Sequence, residues 1–235
     1  WGGKNGQVTC VGEREQILAS SDRGIHWTIQ HSNKPKADIL ILMAHGDDAM
    51  IDLGSLFSYY GINQNKEIVH VKVMRDDHSI EYIGEIYDRE YRRAVHMAGI
   101  RTAGFFDEFD TGNAGADIYH YMRRLWQGED NVVRHMVAAI RAYRPDIVIV
   151  HEPVFGEYSK PGHKLCGRAG IPAFETAGGE TDHWPRLTQI GLEKWQPKKL
   201  YSLSGQSHPA TLNTSHLAKM PLQGAENMTC HDWAN

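Results

Sequence analysis

Short apolar runs recur along the chain, and stretches with helical spacing separate them. The first run, residues 39–43, contains no polar residue, which is typical of a strand covered on both faces of a parallel sheet. Further runs predict four more strands, at 67–74, 102–106, 146–151 and 198–206. Strands that alternate with helices imply βαβ units. The pattern therefore predicts an α/β fold with a mostly parallel sheet.

The stretches between the strands place apolar residues every three or four positions, as on one face of a helix. They predict helices over 50–60, 83–97, 118–143 and from residue 164 onward. Gly61 is expected to end the first helix, because glycine commonly terminates helices. Upstream of the core, residues 16–20 fit one helical turn, and residues 25–30 alternate like a half-buried strand.

The same pattern divides the chain into three parts, which are an N-terminal appendage (1–36), a core (37–206) and a C-terminal segment packed on the core (207–235). The chain has 235 residues and a formal net charge of −4. A nucleic-acid-binding protein would be basic, with clustered lysine and arginine, so no nucleic-acid partner is expected. No apolar run approaches the roughly 20 residues that are needed to span a bilayer.

The start of the chain and its cysteines bear on the compartment. The sequence begins at Trp1 rather than at Met, so any targeting segment is expected to be gone already. Cys10 and Cys230 lie near opposite ends of the chain, and the termini of a domain are often close in space. A Cys10–Cys230 disulfide would imply a secreted or extracytoplasmic protein. Two free thiols are an equally good interpretation and leave a cytoplasmic location open.

Candidate chemistry follows the first core strand directly, where the sequence reads His45-Gly46-Asp47-Asp48. Ligands bind at the carboxyl ends of the strands in an open α/β sheet. Imidazole nitrogen and carboxylate oxygen suit a catalytic zinc ion, so His45 and Asp48 are predicted as two metal ligands. Asp47 points elsewhere along the turn and is predicted to take a proton from the attacking water. The structural alternative is a plain turn in which Asp48 caps the next helix.

A third ligand is expected from the loop after the fourth strand, which is long for its position. His151 ends that strand, and His163 stands where the next helix is predicted to start. Both remain candidates on the pattern alone, and His163 is preferred. Nucleotide binding is rejected, because the first strand is followed by two carboxylates rather than by G-x-G-x-x-G.

Two stretches resemble the signatures of the PIG-L-type (LmbE-like) zinc deacetylases, which act on N-acetylglucosamine groups. That family has Ala-His-Pro-Asp-Asp-Glu after its first strand, where this chain has Ala44-His-Gly-Asp-Asp-Ala49. Its second signature, Gly-x-Tyr-Gly-His-x-Asp-His, corresponds to Gly156-Glu-Tyr-Ser-Lys-Pro-Gly-His163. The resemblance extends over residues 37–205 and includes the strand that ends in His151.

The resemblance implies a zinc-dependent amidohydrolase with a Rossmann-like, three-layer fold and an active site at the carboxyl edge of the strands. One zinc ion would be held by the residues that match the family ligands, His45, Asp48 and His163. Asp47 matches the general base, and Tyr158 matches a tyrosine that polarises the amide carbonyl. Three residues are predicted to contact the substrate, namely Asp110, Arg89 and His151.

Departures from the family pattern bear on activity. Lys160 stands where the family has a histidine beside the reacting carbonyl, and a lysine ammonium can stabilise an oxyanion as a point charge. Gly162 replaces an aspartate, so Glu152 becomes a candidate for orienting the ligating His163. Gly46 replaces proline and is expected to permit a turn that a residue with a Cβ resists, and Ala49 replaces glutamate.

The predicted function is removal of an N-acyl group, expected to be acetyl, from an amino sugar or a sugar-bearing small molecule. Two alternatives stay open. One is a non-catalytic carbohydrate-binding relative on the same scaffold, and the other is an amidase that acts on a non-sugar amide. The paired Asp47 and Asp48 favour an enzyme, because a binding protein has no need of a spare base.

Overall fold

The computed structural model describes residues 8–11, 17–20, 28–31, 36–75, 81–100, 102–109, 128–154, 156, 160–179, 187–188, 191–203, 215–225 and 227–234. The first elements are three short strands, β1 (Val8–Val11), β2 (Ile17–Ser20) and β3 (Thr28–His31). They form an antiparallel sheet in the order β1-β2-β3. The helical turn predicted over 16–20 is wrong, because residues 17–20 pair with a strand on each side, and that pairing outweighs local preference.

The core is a five-stranded parallel sheet. Its strands are β4 (Ile39–Met43), β5 (Ile68–Arg75), β6 (Thr102–Phe109), β7 (Ile147–His151) and β8 (Lys199–Leu203). They lie in the order β6-β5-β4-β7-β8. The chain therefore builds the sheet outward from β4 on one side and then returns to build it outward from β7 on the other. Ligands bind at such a switch point, in the crevice at the carboxyl ends of the two central strands.

Helices cover both faces of this sheet. They are α1 (Asp48–Phe57), α2 (Glu81–Met97), α3 (Glu129–Tyr143), α4 (Pro161–Thr176) and the short α5 (Cys230–Ala234). Leu40 and Leu42 of β4 belong to the core cluster that includes buried residues of α3 and α4. Ile41 and Met43 belong to the cluster that includes buried residues of α1 and α2. Alternate residues of β4 are thus buried on opposite faces, which explains its unbroken apolar run. The predicted Rossmann-like α/β fold is confirmed.

Several element boundaries differ from the prediction, among them the ends of the first helix and of the third core strand. Gly61 does not end the first helix, because α1 continues as a π-helix over Ser58–Asn63. A Cβ on Gly61 would lie 2.5 Å from the carbonyl oxygen of Gly99, so glycine is needed there for close backbone approach. Strand β6 runs to Phe109, three residues beyond the predicted 102–106.

The last strand is less buried than the central strands. Tyr201 of β8 is 36% exposed. Strand β8 lies at the edge of the sheet, where fewer neighbours cover a side chain.

The C-terminal segment is attached to the core through side-chain hydrogen bonds. Asn63 donates from Nδ2 to the carbonyl of Pro221 at 2.7 Å and accepts at Oδ1 from the amide of Gln223 at 2.6 Å. The indole Nε1 of Trp233 donates to the carbonyl of Met97 at 2.8 Å. No helix among the described residues has both the length and the apolar character that crossing a membrane requires.

The Cys10–Cys230 disulfide, which the sequence leaves as open as two free thiols, is not formed. Cys230 is a buried free thiol, and the amide Nδ2 of Asn63 lies 3.7 Å from its Sγ. Burial raises the pKa of the Cys230 thiol. The side chain of Cys10 lies outside the described part of the chain. A secreted location therefore stays a prediction without support from a disulfide.

A buried histidine on β5 generates a prediction about stability. His70 is 0% exposed, and neither of its ring nitrogens has a hydrogen-bond partner within the described part of the chain. Burial lowers the pKa of His70 to about 3, although the Asp48 carboxylate acts in the opposite direction. The unfolded chain, in which a histidine has a pKa of about 6.5, therefore binds a proton that the folded protein does not bind as the pH falls below that value.

We predict that the free energy of unfolding decreases as the pH falls from about 6.5 toward 3, with His70 contributing up to about 1.4 kcal/mol per pH unit. His70→Leu removes this contribution, so urea unfolding at several pH values will give a shallower slope than wild type. His96→Gln, at an exposed position on α2, is the control and keeps the wild-type slope. Equal slopes for His70→Leu and wild type would contradict the assignment.

Candidate metal centre

The turn between β4 and α1 places His45 and Asp48 side by side. Asp48 is the first residue of α1, and its Oδ2 accepts a hydrogen bond from the amide of His45 at 2.8 Å. The carboxylate thus turns back toward the strand end and does not cap the helix. The Nδ1 atom of His45 lies 3.3 Å from Asp48 Oδ2.

His163 reaches the same point from the other side of the switch point. It is the third residue of α4, after Pro161, and proline suits the first position of a helix because its missing N–H has no partner there. The Nε2 atom of His163 lies 3.2 Å from His45 Nδ1 and 3.4 Å from Asp48 Oδ1. Two residues from the turn after β4 and one from the helix after β7 therefore meet, although they are more than 100 positions apart in sequence.

The three side chains fit a metal ion. They form the one group among the described residues whose ligand atoms all lie within 4.8 Å of one another. Bonds of about 2.0–2.1 Å at tetrahedral angles would place ligand atoms roughly 3.3–3.4 Å apart, which is close to the 3.2–3.4 Å observed between these atoms. Two imidazoles and one carboxylate also form a donor set that zinc takes in catalytic sites, with a fourth position left open.

The surroundings of Asp48 keep its side chain in the ionised form that binds a cation. Burial alone raises the pKa of this group, but the hydrogen bonds with His151 and His45 and the positive charge of the neighbouring imidazoles lower it more. The net effect holds the pKa of Asp48 well below its ordinary value. Asp48 is therefore a carboxylate, and not a neutral acid, throughout the ordinary pH range.

His151 lies beside the candidate ligands and is 0% exposed. Its predicted contact with the substrate gains no support from this burial and stays a prediction. Its Nε2 lies 2.9 Å from the amide nitrogen of Ala44 and 3.1 Å from Asp48 Oδ2. Its ring stacks on the ring of His163 with centroids 4.2 Å apart and an angle of 15° between the planes. His163, and not His151, belongs to the group whose ligand atoms lie within 4.8 Å of one another, so it is the better third ligand of the two candidates.

The remaining predicted residues lie in different surroundings. Asp47 is exposed and immediately precedes the candidate ligand Asp48. Lys160 is exposed at the position that precedes the first turn of α4. Arg89 lies on the exposed side of α2, with its Nε 3.6 Å from an oxygen of Glu90, and no described contact joins it to the ligands. Tyr158 and Asp110 fall outside the described residues, so their roles stay predictions.

The role that the structure gives Glu152 differs from the predicted one. Both of its carboxylate oxygens accept from the amide of Val154 at 3.0 Å, and Oε2 accepts from the amide of Gly156 at 3.1 Å. Glu152 therefore holds the backbone of the loop that leads to α4. Gly167 contributes to the same arrangement, because a Cβ there would lie 2.5 Å from the carbonyl oxygen of His151. Sequence spacing carries no signal for either contact.

Comparison with known proteins identifies the family. The family model for PIG-L, described as GlcNAc-PI de-N-acetylase, matches residues 40–174. The chain belongs to the PIG-L family. The matched range contains the whole candidate metal centre, from His45 to His163.

Relatives with assigned names share about a quarter of the aligned residues. Two are named 1D-myo-inositol 2-acetamido-2-deoxy-alpha-D-glucopyranoside deacetylase. The protein from Streptomyces avermitilis is 25% identical over 165 residues, which are 61% of this chain and 54% of the relative. The protein from Thermobifida fusca is 24% identical over 200 residues, which are 77% of this chain and 66% of the relative. This PIG-L chain thus spans little more than half of the first relative and about two thirds of the second.

Solved structures share the fold. The N,N′-diacetylchitobiose deacetylase from Pyrococcus horikoshii superposes with a TM-score of 0.55 at 18% identity, covering 69% of this chain and 57% of that one. A conserved protein from Thermus thermophilus gives a TM-score of 0.53 at 16% identity, covering 73% of this chain and 68% of that one. At these identities the likeness concerns the fold alone.

We predict that the wild-type protein, stripped of metal and then dialysed against Zn²⁺, retains one equivalent per chain. His45→Ala and His163→Ala each leave two protein ligands and will retain less than about a tenth of an equivalent by elemental analysis. His216→Ala, at an exposed position in the C-terminal segment, is the control and binds as wild type. A full equivalent in either ligand variant would show that the ion binds elsewhere.

His151 yields a separate prediction. His151→Phe keeps a ring to stack on His163 but loses the nitrogen beside Asp48, so zinc affinity falls about 10- to 100-fold, as for other groups that orient metal ligands. Competition with a chromogenic chelator measures the dissociation constant. Unchanged affinity would mean that the contact between His151 and Asp48 does not orient the ligand.

Proposed function

We propose that this protein is a zinc-dependent hydrolase that removes an N-acyl group, most simply acetyl, from an amino sugar or a sugar-bearing small molecule. The observation that carries the proposal is the meeting of His45, Asp48 and His163 with an exposed aspartate, Asp47, directly beside them. Three of the four residues lie in one turn, so two of the proposed ligands and a candidate base all follow the end of a single strand.

In the proposed reaction, the zinc ion and the side chains of the protein have separate roles. Zinc held by these ligands would polarise an amide carbonyl and lower the pKa of water toward 7. Asp47 is exposed and unencumbered by a cap hydrogen bond, so its carboxylate is available to accept the proton of the attacking water. The same carboxyl group then returns that proton to the departing amine nitrogen, which leaves the aspartate ionised as at the start.

Charge on the reacting oxygen requires a positive or hydrogen-bonding partner. Lys160 is exposed three residues before His163, and its ammonium would serve as a point charge for that oxygen. The resemblance implies that Tyr158 donates a hydrogen bond to the same oxygen.

The substrate class is supported by what related proteins are named for. Both named relatives carry an acetamido-deoxy-glucopyranoside in their names, and the Pyrococcus protein is named for diacetylchitobiose. An acetamido group on a sugar is common to these names. N-acetylglucosamine and its glycosides are therefore the first substrates to test.

A non-catalytic sugar-binding protein is the second function to weigh. Lys160 stands in place of a family histidine, and its exposed side chain is the specific observation that favours loss of turnover. The binding alternative predicts zinc and sugar binding without amine release. An amidase for non-sugar amides predicts amine release from a chromogenic acetanilide but none from N-acetylglucosamine.

We predict that Asp47→Asn retains one zinc per chain but lowers kcat by about 10²- to 10⁴-fold, because the general base is lost and the ligands remain. Release of free amine from N-acetylglucosamine glycosides, followed by fluorescence labelling, measures the rate. Asp130→Asn, at an exposed position on α3, is the control and keeps wild-type turnover. Undiminished turnover in Asp47→Asn would remove Asp47 from the mechanism.

A further inference from the structure

Gly46 lies between the candidate ligand His45 and the candidate base Asp47. The space around its Cα leaves no room for a side chain. Its backbone is outside the left-handed region, which corrects the expectation that it permits an unusual turn. A Cβ on Gly46 would lie 2.6 Å from Cδ2 of Tyr91, 3.1 Å from its Cγ and 3.4 Å from its Cβ. The phenol ring of Tyr91 therefore occupies the room that any other residue at position 46 would need.

Moving the Tyr91 ring away from Gly46 would break several contacts that hold the ring in place. Its side chain lies on α2 and is 7% exposed. Its hydroxyl donates to the carbonyl of His70 at 3.1 Å, and its ring meets the His70 ring nearly edge-on, with centroids 5.3 Å apart. The Nζ atom of Lys72 lies 5.3 Å from the centroid of the same ring, within reach of a cation–π interaction. Buried residues of β5 thus contact both the ring and the hydroxyl of Tyr91.

The ring therefore connects β5 to the turn that carries the site. The turn is also tied to β5 through its backbone, because the amide of Met74 donates to the carbonyl of Ala44 at 2.9 Å. Two residues further along the turn, the ring of Tyr91 packs against Gly46. Gly46 is buried, whereas Asp47, one residue on, is exposed.

We propose that Tyr91 is a positioning residue of the site. By packing in the space of the absent Cβ of Gly46, its ring fixes the turn so that His45 stays beside Asp48, and Asp47 faces the open side of the ligand set. The part that concerns Asp47 rests on the proposed function, and the part that concerns His45 rests on the geometry alone. The proline that the family signature has at position 46 carries a Cβ, so on this backbone it would collide with Tyr91.

The test is a reciprocal exchange at the two positions. Gly46→Ala introduces the colliding Cβ, and Tyr91→Leu removes the ring atoms that it meets. We expect Gly46→Ala to weaken zinc binding about tenfold in chelator competition and to lower kcat about 10- to 100-fold at saturating zinc, with KM within about twofold of wild type. In Gly46→Ala/Tyr91→Leu, the zinc dissociation constant and kcat should both return to within about threefold of the Tyr91→Leu values.

Two further variants separate positioning from general damage to the core. Gly46→Ala/Tyr60→Leu changes another tyrosine packed against the same core cluster and should not recover. Tyr91→Phe keeps the ring but loses the hydroxyl bond to His70, so it should fold, retain zinc and lose kcat about threefold to tenfold with little change in KM. This variant gives a test even if Gly46→Ala does not fold.

The results of these experiments test the positioning role of Tyr91 separately from the proposed hydrolase function. Wild-type zinc affinity and kcat in both Gly46→Ala and Tyr91→Phe would overturn the inference, and so would a double variant no better than Gly46→Ala. If no amide is hydrolysed by the wild type while zinc affinity falls and recovers as expected, the proposed function fails and the positioning of His45 stands. If the wild type is active and the exchange has no effect, the inference fails and the function stands.

Discussion

The structure depends on one buried carboxylate at the switch point of the sheet. Asp48 accepts from the amide of His45, contacts the imidazole of His151 and lies beside that of His163. A carboxylate out of water is costly unless hydrogen bonds and positive charge compensate it. The groups that compensate it come from the ends of β4 and β7 and from the start of α4. The same grouping of donors suits a divalent cation, so the constraint that organises the fold here also creates its chemistry.

The sheet was predictable because its central strands are buried on both faces. That burial demands apolar residues without alternation, and β4 and β7 show this pattern plainly in the sequence. The candidate metal ligands could be named from the sequence because His45 and Asp48 follow an apolar strand and His163 stands near a predicted helix start. Local sequence says less about N-terminal strands such as β2, whose pairing partners lie elsewhere in the chain. Element ends such as Gly61 were misread for a similar reason, since contacts with distant backbone decide them.

The support of the site was the part that sequence did not disclose. The resemblance implied that His151 contacts the substrate, and only the structure shows that it is buried with its Nε2 3.1 Å from Asp48 Oδ2. The need for glycine at position 46 depends on Tyr91, which lies on a different helix. Contacts of this kind leave no periodic signal, because each involves one side chain and one distant partner. Pattern identifies which residues carry chemistry, whereas packing determines how firmly they are held.

We expect one cation to bind between the turn after β4 and the start of α4. The decisive measurement is an anomalous difference map from a crystal of zinc-loaded protein, with data collected on both sides of the zinc absorption edge. It should show one dominant peak per chain, about 2.0–2.1 Å from His45 Nδ1, an oxygen of Asp48 and His163 Nε2. A zinc-loaded crystal with its peak elsewhere, or with none at these three atoms, would contradict it.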